Sequence, residues 1–278
     1  MRESIVFPVR PHKLVGRLFV ALIIAELLII GADLWLNYAQ GLDSRFLRRI
    51  VNITREDSFG AFLSVQLAVA GSLLAALNAC LCRARCGGTR GSLAGWSMVT
   101  LILGYLAIDD AVALHERVGS TIRDMQAGAV YDRLQRLVSG YVSYPWQAIF
   151  GPFVLLALLA LLVFLWHEVR EPKGRLALLA SLAMVVVALQ LDFFEGIEGC
   201  HAAVAAQLGL RTYTVRHFSK VLEESLEMLA LIFLVVIFLN QLMTRSRSIT
   251  VAFKHGTSGT PSRFDERTRG ELDRDVAD

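Results

Sequence analysis

Charge is scarce in this chain: Asp, Glu, Lys and Arg make up 19% of its 278 residues, where a soluble domain carries about a quarter. That deficit, with 55% apolar residues and a mean hydropathy of +0.52, argues against a soluble globular enzyme. The net charge is only +3, so no nucleic acid is expected as a partner. Cysteine is equally sparse. Three of the four, Cys80, Cys82 and Cys86, are clustered and Cys200 stands far away, which is too lopsided for a disulfide framework. A phosphate-binding loop is missing too, because Gly87-Gly88 is followed by no Gly-Lys-Ser.

What the chain has instead is long apolar runs. Six stretches can cross a hydrocarbon core of about 30 Å, which takes ~20 helical residues: Leu18 to Tyr38, Phe59 to Leu81, Leu93 to Leu114, Trp146 to Trp166, Leu176 to Phe194 and Val221 to Leu242. The first is too long for the apolar region of a signal peptide and contains Glu26 and Asp33, so it reads as a retained helix. The fold class is therefore all-α, a polytopic membrane bundle of six transmembrane helices whose partner is membrane lipid. Trp35, Tyr38, Tyr141, Tyr144, Trp146 and Trp166 fall near the span ends, where interface anchors belong.

Lys and Arg set the expected orientation. With the N-terminus inside, 17 of the 28 basic residues fall on the cytoplasmic side, so both termini are expected there. Residues 1–17 form a cytoplasmic segment, 18–244 the transmembrane domain and 245–278 a tail. The tail is rich in Arg, Asp, Glu, Ser, Thr and Gly and is expected to be disordered, because it cannot bury enough apolar surface to offset ordering. Within the outer loop 115–144, Val118, Ile122, Met125, Val130, Leu134 and Leu137 recur at helical intervals opposite Arg123, Asp132, Arg133 and Arg136. That pattern predicts an amphipathic helix lying at the interface over Val118 to Val138.

Spans one, three and five run outward and carry Asp33, Asp109 and Asp192 at similar depth, ~22–25 Å from their cytoplasmic entry. Span six returns inward and begins with Glu223, Glu224 and Glu227. The same layer holds Asp110, Glu116, Glu195 and Glu198, and three of the six histidines, His115, His201 and His217, stand beside these acids. Helical spacing puts Asp109, Ala113 and Glu116 on one face, Asp192 with Glu195, and Glu224 with Glu227. So many bare carboxylates cannot share a low-dielectric layer. Protons, cationic side chains or a metal must compensate.

Three readings follow. In the first, imidazole and carboxylate ligands drawn from Asp109, Asp110, His115, Glu116, Asp192, Glu195, Glu198, His201, His217, Glu224 and Glu227 hold a divalent ion such as Zn²⁺, Fe²⁺ or Mn²⁺. Metal-activated chemistry on a lipid-accessible substrate then becomes available. Glu198-Gly-Cys-His201 supplies a Glu-x-x-His pair of the kind di-metal bundles use, but the clustering of three histidines with acids carries more weight than this short motif. In the second reading, the acids form a proton or cation relay of a transporter or channel, which Glu26 extends toward the cytoplasm. In the third, Arg117, Arg211, Arg216 and Lys220 pair with the acids in a structural lattice of a scaffold protein. His167 and Glu168, at the other end of span four, read as a solvated helix end.

The acidic pair and His-Glu at the end of span three (Asp109, Asp110, His115, Glu116), with the acid-rich start of span six (Glu223, Glu224, Glu227), resembles a group of uncharacterised bacterial multispan membrane proteins. The resemblance implies a bacterial inner membrane and brings no activity with it. Intramembrane hydrolases that hold zinc with three His and an Asp use a His-x3-His pair, and this chain has none.

Overall fold

The computed structural model describes residues 11–84, 90–124 and 141–245, and among them there are helices and no strand. In chain order these are α1 (Pro11–Asp33), which continues as a π-helical turn over Leu34–Tyr38, α2 (Arg45–Val51), α3 (Phe59–Ala84), α4 (Arg90–Val112), α5 (Leu114–Asp124), α6 (Pro145–Glu168), α7 (Pro172–Glu195), α8 (Cys200–Leu208) and α9 (Thr212–Arg245). Six of them, α1, α3, α4, α6, α7 and α9, are long and apolar enough to cross a membrane. The protein is thus a multi-pass helical membrane protein, as expected. Cys86, the tail beyond 245 and most of the amphipathic stretch, residues 125–140, lie outside the described residues.

Local sequence explains the starts and stops. Pro145 and Pro172 open α6 and α7 at positions where a helical N–H has no partner. Short α8 is bracketed by Gly199 and Gly209, whose φ values of 75° and 65° lie in the left-handed region. Two limits differ from expectation. The sixth span begins at Thr212 and not Val221, because its ionic first three turns find partners on neighbouring helices and need not unwind toward water. The third span ends at Val112 and not Leu114, where Ala113 takes φ +49° and starts α5 in a new direction.

Helix α9 organises the bundle, packing against α1, α3 and α7, while α4 joins α3 to α6. At ~1.5 Å per residue its 34 residues span about 51 Å, well beyond the hydrocarbon core. One core cluster centres on Trp96, Val99, Leu103, Leu165, Leu178 and Phe238, and a second on Ile53, Leu67, Met228 and Ile232. Trp96 is fully buried and meets Phe164 and Phe238 edge-on at 5.5 and 5.3 Å. Gly95 permits this, since a Cβ there would overlap the Phe164 ring.

Lipid tails are as apolar as these side chains, so close packing and interhelical hydrogen bonds hold the helices together. Asn78 donates to the carbonyls of Leu74 and Phe238 at 2.9 and 3.1 Å, linking α3 to α9. Ser181 donates to the Ala230 carbonyl at 2.9 Å, linking α7 to α9, and Ser72 to that of Thr100 at 2.9 Å, linking α3 to α4. Leu28, Leu101, Phe153 and Leu176 point outward, as lipid-facing residues do.

Candidate functional site

Antiparallel packing gathers the C-terminal ends of α1, α4 and α7 and the N-terminal ends of α6 and α9 at one end of the bundle. There Asp192, Glu195 and Glu223 each bring a carboxylate oxygen within 4.8 Å of the other two. Gln147, in the first turn of α6, donates to Asp192 Oδ2 at 2.7 Å. Lys220 reaches into the group, its Nζ 2.7 Å from Glu223 Oε1, 3.5 Å from Glu224 and 3.8 Å from Glu195. Arg216 approaches Glu195 at 3.5 Å. Glu223 is almost wholly buried, and its Oε2 has no hydrogen-bond partner among the described residues. Beside the group opens a cavity of about 410 Å³ lined by Thr54, Arg55, Glu56, Asp57, Tyr144, Asp192, Glu195 and Lys220.

The sequence's candidate ligands divide among separate places. Asp192 and Glu195 belong to this acidic triad, and Glu224 flanks it through Lys220. Glu227 lies within electrostatic reach of Glu223, Glu224 and Asp110. His115 stands apart with Asp109: its Nδ1 is 2.8 Å from Asp109 Oδ2, and its backbone N–H donates to Oδ1 over 3.0 Å. The expected common face of Asp109, Ala113 and Glu116 does not exist, because the left-handed turn at Ala113 interrupts the helix between them. The side chain of Glu116 lies outside the described ones.

His217 pairs with Asp33 of α1 and not with the acids of its own helix. Its Nε2 is 3.0 Å from Asp33 Oδ2, although the two atoms are not aligned as a hydrogen bond. The imidazole is stacked between Tyr38 and Tyr213, with ring centroids 6.1 and 5.6 Å away. Asn37 donates to Asp33 Oδ1 at 2.9 Å and to the Arg48 carbonyl at 3.0 Å, tying α2 to the pair. Glu198 and His201 do not form a helical i, i+3 pair. Glu198 is exposed in the turn after α7, and left-handed Gly199 separates it from α8. Glu26 is buried in α1, seven residues, or about two turns, before Asp33.

Opposite the triad, the loop between α2 and α3 carries a second charged group. Asp57 pairs with both Arg55 and Arg49, and hydrogen bonds from Arg55 and then Arg49 hold its carboxyl at about 2, below the ordinary range. Burial, reinforced by the charges of Glu195 and Asp192, raises the Tyr144 phenol, so it faces the cavity as a neutral hydroxyl.

At the other end of the bundle, Glu168 is not the solvated helix end its sequence suggests. Its Oε1 accepts from Ser92 at 2.7 Å, from Trp96 Nε1 at 3.2 Å and from Arg245. Arg245 also reaches the Cys82 sulfur at 3.4 Å. This knot joins α3, α4, α6 and α9 because Trp96, one turn and a half inside α4, presents its only polar atom toward the helix end.

Two participants escape a sequence reading of ligands. Glu223 completes the triad although the i, i+3 spacing favours Glu224 with Glu227, and its signal was Lys220 three residues earlier. Asp33 is the partner of His217, and the shared depth of the three span aspartates was the only hint.

Residues 17–242 match the family model described as a domain of unknown function (DUF8692). No curated protein and no solved structure matches the chain.

Proposed function

The chain belongs to the DUF8692 family, and on that premise we propose that this multi-pass membrane protein holds a divalent cation at its acidic end, with Asp192, Glu195 and Glu223 as ligands. The observation that carries this reading is the convergence of three carboxylate oxygens within 4.8 Å. Charge supports it. The carboxylates of Asp192, Glu195, Glu223 and Glu224 outnumber the cations Lys220 and Arg216 beside them, an excess that a bound cation would offset. The triad contains no imidazole, and an all-oxygen set suits a hard ion such as Mn²⁺ or Mg²⁺ better than Zn²⁺ or Fe²⁺. The balance of Lys and Arg favours an arrangement in which this end faces away from the cytoplasm, and the resemblance of the span-three and span-six motifs places that membrane, in this reading, in a bacterium.

A second reading has its own observation, the 2.7 Å contact between Lys220 and Glu223, which makes Lys220 the resident cation of a structural lattice. One experiment separates the two. Mn²⁺ binding to the purified protein, followed by electron paramagnetic resonance, is expected to tighten about tenfold in Lys220→Met and to vanish in Glu223→Gln. A lattice predicts no Mn²⁺ binding in either protein and a lower melting temperature in Lys220→Met.

A further inference from the structure

The end of the bundle opposite the acidic triad holds a second cavity of about 410 Å³, between the close of α6, the short linker into α7 and the last turns of α9. Sites for small polar ligands run to about 300–1,000 Å³. The linker lines it with Arg170 and Glu171, and α9 with Asn240, Gln241 and Thr244. Glu168 and Arg245 also reach it, but they offset each other within the knot. What remains is one cation and one acid, Arg170 and Glu171, and among the described residues neither has an ion-pair partner. Glu171 Oε2 accepts from Asn240 Nδ2 at 3.3 Å.

The linker that carries these two charges is held at both ends. Val169 is buried in the core and its carbonyl accepts from Arg175 Nε at 2.9 Å, while the Glu171 carbonyl accepts from the Arg175 backbone N–H at 3.0 Å. Gly174 lets the first turn of α7 close on Val169, since a Cβ there would come within 2.6 Å of its Cγ1. The Arg175 guanidinium lies over the Trp166 ring, 4.9 Å from the centroid, and an exposed Trp at a span end marks headgroup depth. Leu156, Leu159 and Val163 are all exposed and share one face of α6 with His167, which lines the cavity. A lipid-facing apolar stripe therefore runs up to the cavity's edge.

We propose that this cavity takes the headgroup of a zwitterionic, amine-bearing phospholipid, with Arg170 on the phosphate and Glu171 on the ammonium. Charge complementarity carries the assignment. A purely anionic headgroup answers Arg170 but sets a like charge against Glu171, whereas phosphoethanolamine carries both charges on one short chain and answers the pair. The Arg170 guanidinium presents a planar fork of donors that matches phosphate oxygens. A primary ammonium brings three N–H donors, enough for the Glu171 carboxylate and for the amide oxygen of Gln241. The acyl chains lie along Leu156, Leu159 and Val163, so one lipid bridges α6 and the end of α9 on the outer side of the knot.

The test is lipid retention by the full chain in detergent, read by native mass spectrometry with phosphatidylethanolamine, phosphatidylcholine and phosphatidylglycerol offered at equal concentration. Phosphatidylethanolamine is expected to be retained about tenfold better than phosphatidylcholine, whose methylated ammonium has no N–H to donate. Arg170→Gln is expected to weaken retention of all three lipids about tenfold. Glu171→Gln keeps an amide oxygen for Asn240 and is expected to erase the preference for phosphatidylethanolamine over phosphatidylcholine, with phosphatidylglycerol held as well as before or better. Both side chains are exposed and outside the knot, so unchanged lipid-free melting curves certify that the variants are folded. The order shown by the wild type is decisive by itself: equal retention of the three lipids, or a preference for phosphatidylglycerol, overturns the proposal. A preference for phosphatidylethanolamine that survives both substitutions puts the lipid elsewhere and overturns it too. Water-soluble glycerophosphoethanolamine that binds as tightly as the lipid overturns the lipid assignment and marks the ligand as a soluble phosphate ester.

Discussion

His217 and Asp33 face each other between the first and sixth membrane helices, Nε2 to Oδ2 at 3.0 Å, with side chains only 4% and 0% exposed. Each is the other's counter-group in a place water does not reach, and Asn37 extends the pair to the loop carrying α2. Removing one partner of a buried pair strands the other. His217→Ala is expected to cost about 3–5 kcal/mol, measured as thermal unfolding in detergent. The double variant Asp33→Asn/His217→Ala should cost clearly less than the two single losses together, and strict additivity would show that the residues do not depend on each other.

At the opposite end, Arg245 and Glu168 tie four helices through Ser92, Trp96 and Cys82. The pair is partly exposed, 21% and 15%, so its loss is milder than in the buried case. Arg245→Met is expected to lower stability by about 2 kcal/mol. Glu168→Gln should lower it less, because an amide oxygen still accepts from Ser92 and Trp96. The intrinsic fluorescence of Trp96 reports both, and an unchanged melting curve in Arg245→Met contradicts the role given to the knot.

Asp57 supplies a pH dependence of definite sign. Its carboxyl titrates at about 2 in the folded chain against an ordinary 3.8, so the folded state favours the ionised form. The stabilisation is present above the ordinary value and is lost as pH falls from about 4 toward 2. Amides between Arg49 and Asp57 should lose protection, measured as hydrogen exchange relative to the intrinsic rate at each pH, as pH falls through that window in the wild type. Asp57→Asn should show low protection on both sides of it, and high salt should mimic the variant, since both arginines are exposed.

Ala113 holds φ +49° while its side chain is buried. Ala113→Gly removes the steric penalty and a packed methyl group together, and is expected to stay within about 1 kcal/mol of wild type. Ala113→Val places a β-branched residue where that conformation is a genuine outlier, and more than about 2 kcal/mol should be lost. The melting temperatures of the two variants give the comparison. A tolerated valine would mean that the chain relaxes at this turn.

Spans were legible because hydrocarbon thickness imposes a length that composition records directly. The beginning of α9 was not, since His217 and Lys220 look like loop residues until their partners on α1 and α7 are known. Periodicity likewise carried Asp109 and Glu116 along one helical face, with no glycine or proline between them to warn of the turn at Ala113. The acids were visible as a layer; their partition was not. Which carboxylate meets which cation depends on contacts between distant helices, and spacing along one helix says nothing about them. Glu198 and His201 show the converse, a suggestive spacing undone by a single left-handed Gly199.

The central position of α9 bears on how the protein is made. Its partners α1, α3 and α7 all leave the ribosome earlier, yet they share the helix that arrives last among the described residues. Until Thr212–Arg245 is inserted, Asp33 lacks His217, Asn78 lacks the Phe238 carbonyl and Glu168 lacks Arg245. The earlier helices must therefore wait in the bilayer as a loose, incompletely satisfied assembly. A chain halted before Thr212 is the form that a membrane quality-control protease should recognise.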